Sequence, residues 1–187
     1  MFQLHLEEKK PSLNKEIVFD VIIVGAGAAG LTAGIYLARD GWKTLILEKE
    51  SPGGLAASTQ RVENYPGFPK GIEGSTLMTR FESQAERFGV YLVDFEKVER
   101  ISKNKQDIFE IHTQQGTYKA HTVLLATGSV PKHLGITGED EFFGKGVSYC
   151  ATCDGPLYRD QEVAVVGFGD SALQEGETLL RYASKLT

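Results

Sequence analysis

Apolar and polar positions follow two different periods in the first fifty residues. Residues 19–24 (FDVIIV) form a short, β-branched apolar run, which is typical of a strand buried on both faces. Residues 31–39 carry apolar side chains at helical spacing, and Gly41 lies where a helix C-terminal glycine is expected. Residues 43–47 (KTLIL) form a second apolar run that ends at Glu48. The pattern predicts a strand, a helix and a second buried strand.

The pattern changes in the middle of the chain. Residues 51–74 are rich in Gly and Pro and have no period, which predicts a loop over whatever the sheet binds. Residues 75–88 predict a helix whose apolar stripe consists of Leu77, Phe81, Ala85 and Phe88. Residues 90–118 alternate in short segments between polar turns, which predicts an antiparallel meander inserted in a parallel-sheet domain. Residues 122–126 (TVLLA) return to the pattern of a buried strand.

The last third of the chain repeats the first pattern incompletely. Residues 131–146 predict a connector, residues 162–166 (EVAVV) predict a strand, and the helix that follows is expected to reach Leu180. We expect no further strand before the last residue. The predicted fold class is α/β: a Rossmann-like domain with an antiparallel meander insertion, followed by the start of a second Rossmann-like domain. The expected boundaries are residues 1–16 for a polar extension, 17–130 for the first domain and 131–187 for the second.

Composition narrows the classes of function. The 187 residues are 41% hydrophobic and 24% charged, and the net charge of −5 disfavours a nucleic-acid binder, which normally shows a basic face. No apolar run reaches the roughly 18 residues that span a bilayer. Residues 7–10 (EEKK) stand where a signal peptide would need an apolar core. We expect a cytoplasmic protein without a nucleic-acid or membrane partner.

A glycine set follows the first predicted strand and opens the first predicted helix. It consists of Gly25, Gly27, Ala28 and Gly30, and Glu48 follows Gly30 by 18 residues. In a dinucleotide site such glycines permit a tight turn, close approach of a pyrophosphate, and close packing of helix on strand, while the acid binds ribose hydroxyls. The set therefore predicts dinucleotide binding; the alternative is a glycine-rich turn without a ligand.

A second set follows the strand at residues 162–166. It consists of Gly167, Gly169, Ser171 and Ala172. This set favours another phosphate site. The bulky Phe168 stands between the glycines, and no ribose-reading residue follows, so the choice of nicotinamide nucleotide stays open.

The chain contains two cysteines, Cys150 and Cys153. Thiols at this spacing can close and reopen a disulfide, which makes them a two-electron switch; the alternative is a pair of small buried apolar side chains. Alternatively the two cysteines could be zinc ligands, but the sequence has no second CxxC and no His pair to complete a four-ligand set. The remaining candidates, His112, His121 and His133, show no ligand spacing. Asp154 is either a general acid for a departing thiolate or a turn residue, and the residues alone favour neither.

The order of these motifs resembles the low-molecular-weight thioredoxin reductase family. A GxGxxG unit, ATG at residues 126–128, CATCDG at residues 150–155 and a second GxG unit follow one another. The resemblance runs from about residue 19 to the last residue, and CATCDG directly before a second nucleotide domain is its most specific part. It implies that the first domain binds FAD, that the second binds NADPH, and that the protein is a homodimer.

The resemblance also implies roles for individual residues. The ADP half of FAD would be held by Gly25, Gly27, Gly30 and Glu48, with the backbone of Phe95 at the adenine. The flavin would be lined by Gly53, Gly54 and residues 62–65, with Asn64 near the isoalloxazine, and Thr127 and Gly128 would close the site. Cys153 would face the flavin, Cys150 would attack the protein substrate, and Asp154 would be the proton donor.

The sequence departs from the family pattern in three places. Leu55 replaces a Gln that contacts the flavin in many members, and Phe168 replaces a glycine of the nicotinamide loop. The chain also ends before the basic motif that reads the 2′-phosphate of NADPH and before the segment that completes the FAD domain. We expect a fragment of a longer polypeptide, because a half-built sheet would expose apolar edges.

The predicted function is flavin-dependent reduction of a disulfide in a thioredoxin-like protein, with a hinge between the domains at residues 129–134. The first alternative is a related dithiol flavoprotein that is reduced by ferredoxin or another donor. The second is a non-catalytic flavin-binding or partner-binding fragment.

Overall fold

The structure, a computed structural model, describes residues 17–187, and the polar extension predicted at residues 1–16 lies outside the described residues. Two compact units make up the described chain. The first contains the residues up to Gly54 together with Thr79–Gly128, and the second contains Leu55–Met78 and Ser129–Thr187. In chain order the elements are β1 (Val18–Val24), α1 (Ala28–Arg39), β2 (Thr44–Leu47), α2 (Gly54–Ala57), α3 (Gly74–Arg87), β3 (Tyr91–Val93), β4 (Val98–Lys103), β5 (Phe109–Thr113), β6 (Gly116–Leu125), α4 (Ala151–Asp154), a 3-10 helix (Gly155–Tyr158), β7 (Glu162–Val163), α5 (Asp170–Leu179) and β8 (Lys185–Leu186).

The first unit is built on a six-stranded sheet in the order β3-β2-β1-β6-β5-β4. Strand β1 pairs in parallel with β2 on one side and with β6 on the other. The predicted strand–helix–strand unit is therefore confirmed as β1, α1 and β2. Gly41 closes α1 with a φ of 88°, a left-handed conformation that favours glycine, and its N–H donates to the Ala38 carbonyl at 3.0 Å.

The meander begins later than the sequence pattern predicted. Strand β3 pairs in parallel with β2, so it belongs to the parallel part of the sheet, and only β4, β5 and β6 form the antiparallel part. The expectation that the meander starts at residue 90 was wrong. Successive residues of a strand lie on opposite faces of the sheet, so Tyr91 is exposed while Leu92 is buried, and this alternation imitates a meander strand.

Strand β6 is longer than the strand predicted at residues 122–126 and begins within the predicted meander. Its first residues pair with β5 and the residues from Lys119 to Leu125 pair with β1, so the strand joins the meander to the parallel part. The prediction that residues 122–126 are buried on both faces was wrong, since Leu125 is 67% exposed. Hydrogen-bonded neighbours cover the edges of a strand and leave its faces to other elements, so an apolar run alone does not establish burial.

The core of the first unit lies in its sheet. The cluster consists of Phe19, Ile22, Leu45, Leu47, Ile111, Tyr118 and Ala120. Each large apolar side chain buried in this way contributes about 1.5–3 kcal/mol. The core fixes the carboxyl ends of β1, β2 and β6, and in open parallel sheets ligands bind at that edge. The loops after these three strands contain Gly25, Glu48 and Thr127.

The segment predicted as loop over residues 51–74 contains a one-turn helix, α2. A single turn is too short to show a period, so the sequence pattern did not predict it. Helix α3 confirms the prediction for residues 75–88 to within one residue at each end. In its predicted stripe Leu77 and Ala85 are buried, while Phe81 and Phe88 are half-buried.

The second unit contains a small parallel pair, β7 and β8, on either side of α5. The expectation of no further strand was wrong, because a strand of two residues, Lys185–Leu186, is too short to show a pattern. Strand β7 is shorter than predicted, although the Val165 N–H still donates to the Thr187 carbonyl at 2.8 Å. Within residues 17–187 no helix is long and apolar enough to cross a membrane.

Candidate functional site

The glycine loop after β1 is shaped by close backbone contacts. A Cβ on Gly25 would lie 2.3 Å from the Ala126 carbonyl oxygen, and one on Gly30 would lie 1.9 Å from the Gly25 carbonyl oxygen. A Cβ on Gly27 would meet no atom within 4 Å. Two of the glycines are thus required by packing, and the third borders open space at the N-cap of α1. Free N–H groups of the first helical turn, with Ala28 as its first residue, suit a pyrophosphate.

Glu48 is held beside this loop. Its side chain is buried, at 8% exposure. One carboxylate oxygen accepts the Ala26 N–H at 2.7 Å, and the other accepts the Glu50 N–H at 3.1 Å. Since each carboxylate oxygen has two acceptor positions, the group retains acceptor capacity for a ribose hydroxyl.

The remaining candidates of the first unit lie in loops around Gly27. The Gly53 N–H donates to the Ala26 carbonyl at 2.8 Å, and a Cβ on Gly54 would lie 3.3 Å from the Gly27 Cα. A Cβ on Gly25 would lie 3.3 Å from the Thr127 Cα, which precedes Gly128. The structure therefore brings the first glycine set, the paired glycines and the ATG motif together.

Phe95 has a left-handed backbone conformation. Its φ is 54°, its N–H donates to the Glu50 carbonyl at 3.3 Å, and its side chain is exposed. The next residue, Glu96, donates its N–H to the Glu48 carbonyl at 2.7 Å. The loop that contains Phe95 is therefore fixed to the segment that begins at Glu48.

In the second unit Cys150 and Cys153 form a disulfide, with their Cα atoms 5.3 Å apart. Cys150 is the N-cap of α4, and its sulfur accepts the Cys153 N–H at 3.2 Å. Cys150 is half-buried and Cys153 is exposed. The disulfide is the oxidised form of the two-electron switch that the spacing predicted.

Asp154 is tied to the residue two positions before the first cysteine. The Ser148 hydroxyl donates to the Asp154 carboxylate at 2.6 Å, and the Cys150 N–H donates to the Ser148 oxygen at 3.1 Å. Burial, and then the negative charge of Asp154, raise the pKa of Tyr158. The carboxylate thus belongs to one hydrogen-bonded group with the backbone of the first cysteine.

Two cavities of the second unit are lined in part by residues 148–154, which we call the redox segment. One, of about 460 Å³, is lined by Asn64, Cys150, Cys153 and Asp154. The other, of about 690 Å³, is lined by the second glycine loop together with Ser148, Cys150 and Asp154. The loop predicted for the flavin therefore shares a cavity with both cysteines, and the loop predicted for a nicotinamide nucleotide shares one with Cys150.

The second glycine loop is less enclosed than the first. A Cβ on Gly167 would lie 2.8 Å from the Ala172 Cβ, so strand end and helix pack closely, whereas one on Gly169 would meet no atom within 4 Å. Ser171 lies exposed in the first turn of α5. Phe168 is fully exposed and lines the cavity of about 690 Å³.

A family model described as pyridine nucleotide-disulphide oxidoreductase matches residues 19–187. The chain belongs to this family. It is similar to the thioredoxin reductase of Treponema pallidum (strain Nichols), with 45% identity over 172 residues, 92% of this chain and 55% of the relative. The thioredoxin reductase of Bacillus subtilis (strain 168) is 42% identical over 175 residues, 94% of this chain and 54% of the relative.

The fold of this oxidoreductase also matches solved structures. The thioredoxin reductase from Streptococcus pyogenes MGAS5005 superposes with a TM-score of 0.85 at 40% identity, covering 90% of this chain and 54% of that one. The resemblance to the thioredoxin reductases and the Rossmann-like α/β fold are thus confirmed. The chain spans about half the length of the relatives it matches.

The sequence analysis missed three polar residues of this family member, one with a hydroxyl and two with carboxylates, that hydrogen-bond around the cysteines. Besides Ser148, they are Glu175, which accepts the Ala151 N–H, and Glu139, which accepts the Tyr149 hydroxyl at 2.5 Å. No motif or period marks these positions, because the contacts join residues that are distant in the chain or lie in the irregular connector.

Two of the histidines, His112 and His133, make local contacts. His112 lies 2.9 Å from the Ser102 hydroxyl and 3.1 Å from the Thr117 hydroxyl, and His133 lies 3.2 Å from Asp140. In the described part of this oxidoreductase no group of three or more His, Cys, Asp or Glu side chains could hold a metal ion.

Proposed function

We propose that this chain carries the FAD-binding and redox regions of a thioredoxin-disulfide reductase. Electrons from NADPH would pass through FAD to the Cys150–Cys153 disulfide and on to a thioredoxin-like protein. One observation supports this most: the disulfide lines the cavity of about 460 Å³ that Asn64 also lines. The similarity to thioredoxin reductases over more than nine tenths of this chain supports it independently.

The first unit fits the ADP half of FAD. The open space at Gly27, the N-terminus of α1 and the remaining acceptor capacity of Glu48 match a pyrophosphate and a ribose. The adenine amino group needs an acceptor, and the Phe95 carbonyl would supply it. The other proposed contacts are Gly25, Ala28, Gly30, Gly53, Gly54, Thr127 and Gly128. When bound, FAD would supply the two-electron chemistry between a nucleotide and the disulfide.

The two thiols have separate roles in the proposal. Reduction of the Cys150–Cys153 disulfide takes two electrons and two protons and yields two thiols. The Cys150 thiolate then attacks a sulfur of the partner disulfide, so that one S–S bond forms while another breaks and a partner thiolate departs. Cys153 attacks the mixed disulfide, which restores the intramolecular disulfide and releases the second partner thiol. Asp154 would donate or accept the proton at the sulfur nearest to it.

Variants of the two cysteines test these roles. We expect Cys150→Ser to abolish thioredoxin reduction and to form no mixed disulfide with thioredoxin. We expect Cys153→Ser to trap that mixed disulfide, which mass spectrometry detects as a covalent adduct. A Cys150→Ser protein that reduces thioredoxin at the wild-type rate would contradict the assignment.

A second candidate keeps the dithiol chemistry and changes the electron donor. Phe168, fully exposed between Gly167 and Gly169, favours it because a large side chain crowds a loop that should approach a pyrophosphate. Absorbance spectra, followed by rapid mixing with NADPH and with NADH, separate the candidates. Rapid bleaching of the flavin by NADPH supports the first candidate, with Gly167, Gly169, Ser171 and Ala172 at the nucleotide. The second candidate is supported if NADPH and NADH leave the flavin oxidised and only ferredoxin in its reduced form, or another reduced flavin, bleaches it.

A cytoplasmic location, a homodimer and two cofactor domains, at residues 17–130 and 131–187, complete the proposal. In a reducing compartment, two cysteines at this spacing are catalytic more often than structural. The homodimer rests on the resemblance to thioredoxin reductases alone, and light scattering on the purified protein tests it. A non-catalytic flavin-binding fragment is the remaining alternative, because the chain spans about half the length of its relatives. The mass of the native polypeptide decides that point.

A further inference from the structure

We propose that Glu139 and Tyr149 are positioning residues for the redox pair: their hydrogen bond ties the residue before Cys150 to the connector and favours the disulfide form. This inference rests on the proposed function, in which the Cys150–Cys153 pair cycles between disulfide and dithiol. Their hydrogen bonds join the two residues to each other and to the connector backbone. They act through the backbone of Cys150.

Glu139 is the fixed end of the Glu139–Tyr149 hydrogen bond, which we call the tie. Its side chain is 5% exposed. Its carboxylate accepts the backbone N–H groups of Leu134 at 2.8 Å and Gly135 at 2.7 Å, and that of Ile136 at 3.4 Å. One charged side chain thereby orders a turn of the connector that has no helix or strand of its own.

Tyr149 is the end that leads to the cysteines. Its hydroxyl donates to Glu139 at 2.5 Å, and its ring lies 5.5 Å from the rings of His133 and Phe143. The hydrogen bond from Tyr149, followed by those from the backbone, lowers the pKa of Glu139 to about 2. The same bond raises the pKa of Tyr149 to about 12. Carboxylate and phenol therefore keep the donor and acceptor forms that the tie needs throughout the neutral range.

The redox segment is tied on both sides of Cys150. Tyr149 is held by Glu139 before the cysteine, and the Ala151 N–H is held by Glu175 after it. Reduction breaks the S–S bond, and two thiol sulfurs cannot remain at bonding distance, so Cys150 or Cys153 must move. Since the observed ties belong to the disulfide form, we expect them to weaken when Cys150 shifts. By linkage, a tie that is stronger in one form shifts the equilibrium towards that form.

Redox titration of the purified protein tests the inference. Wild type, Tyr149→Phe and Glu139→Gln are equilibrated without oxygen in mixtures of reduced and oxidised dithiothreitol, which supplies the electron pair by closing its own disulfide. Thiols are then alkylated and counted by mass spectrometry. Tyr36→Phe, the same substitution at an exposed tyrosine on α1, is the matched control.

We expect Tyr149→Phe to shift the equilibrium about fivefold towards the dithiol, or ~20 mV for a two-electron couple, and Tyr36→Phe to leave it unchanged. In the Glu139→Gln background the shift caused by Tyr149→Phe should become smaller, because a neutral amide oxygen accepts a weaker hydrogen bond than a carboxylate. A hydrogen bond that serves only the fold would lower the melting temperature without moving this equilibrium.

Two results would overturn the inference: an equilibrium for Tyr149→Phe within twofold of wild type, or the same shift in both backgrounds. Should Tyr149→Phe not fold by circular dichroism, Glu139→Gln alone carries the test, and an unchanged equilibrium in that variant rejects the tie. The titration needs neither flavin nor thioredoxin. Failure of this inference, seen as an unshifted redox equilibrium, is therefore distinguishable from failure of the proposed function, seen as absent thioredoxin reduction.

Discussion

The glycine loop after β1 and the one after β7 have similar sequences and different surroundings. Strand β1 pairs on both sides, and its residues Ile22 and Ile23 are fully buried. Strand β7 has two residues and pairs with β8 alone, and Val166, which leads into its loop, is 70% exposed. A GxGxx(G/A) sequence therefore predicts a strand-to-helix turn in both places, while the packing around it decides how firmly the turn is fixed.

The two units also differ in what holds their functional segments. The first unit fixes its loops through an apolar sheet core and backbone packing, with Glu48 as a polar support, whereas the redox segment of the second is bounded by Glu139, Asp154 and Glu175, which accept hydrogen bonds from it. Apolar burial does not depend on pH and depends little on single polar atoms. Hydrogen bonds to carboxylates depend on both, so changes at Glu139 or Glu175 should alter the second unit and leave the apolar core of the first unaffected.

The largest effect is expected at the first loop. Gly30→Ala places a Cβ 1.9 Å from the Gly25 carbonyl oxygen, a backbone atom that cannot move aside without displacing β1. We expect a loss of at least ~3 kcal/mol in the free energy of unfolding, measured with urea. The matched control is Gly27→Ala, which meets no atom and should cost less than ~1 kcal/mol while weakening FAD binding. Equal losses for the two variants would contradict the packing argument.

The next effect concerns the polar support of the same loop. Glu48→Gln replaces one of the two carboxylate oxygens that accept the Ala26 and Glu50 N–H groups, so one donor faces an amide nitrogen. We expect a loss of ~2 kcal/mol in the free energy of unfolding. Glu50→Gln, whose side chain is 73% exposed, is the control and should change it by less than ~0.5 kcal/mol. Equal losses in the free energy of unfolding for Glu48→Gln and Glu50→Gln would contradict this role of Glu48.

A smaller effect is expected for the corresponding change in the second loop. Gly167→Ala brings a Cβ to 2.8 Å from the Ala172 Cβ, a side-chain atom on a less enclosed helix. We expect a loss of ~1 kcal/mol, clearly below that of Gly30→Ala, because the loop after β7 has room to adjust. Gly169→Ala, with no neighbour within 4 Å, serves as the control. A loss as large as that of Gly30→Ala would show that both loops are equally fixed.

The smallest effect is a pH dependence that comes from Glu139 in the second unit. The pKa of Glu139 is lowered from 4.5 to about 2, so its ionised form stabilises the fold. That contribution is complete above pH 4.5 and is lost as the pH falls towards 2. We expect the melting temperature of wild type to fall towards that of Glu139→Gln over this range. His133 and Asp140 lie beside the carboxylate, so His133→Gln and Asp140→Asn are the controls. A constant difference between wild type and Glu139→Gln would contradict the assignment.

The sequence was most informative where chemistry and period are local. The β1–α1–β2 unit, α3, the glycine sets and the cysteine pair all show within windows of a few residues, because side-chain period and motif spacing follow directly from the backbone. The continuous course of β6, the parallel pairing of β3 and the strand β8 did not show. They depend on partners distant in the chain or on segments shorter than any period.

The site residues likewise fall into those that the sequence predicts and those that it does not. Gly25, Gly30 and Gly167 could be predicted, since only a glycine fits where a Cβ would meet backbone or a neighbouring methyl. Glu139 and Ser148 could not be predicted. Their role arises from folding of the connector against the redox segment, which no spacing in the sequence encodes.

Electron exchange between a bound flavin and the two cysteines is the central step of the proposed function, and one measurement tests it directly. The purified protein is photoreduced without oxygen while flavin absorbance is followed, and free thiols are counted after each electron pair. We predict that two thiols, Cys150 and Cys153, appear per chain in step with the electrons supplied, and that Cys150→Ser gains none. A flavin that becomes fully reduced while the disulfide persists, or a protein that binds no flavin, would contradict the account.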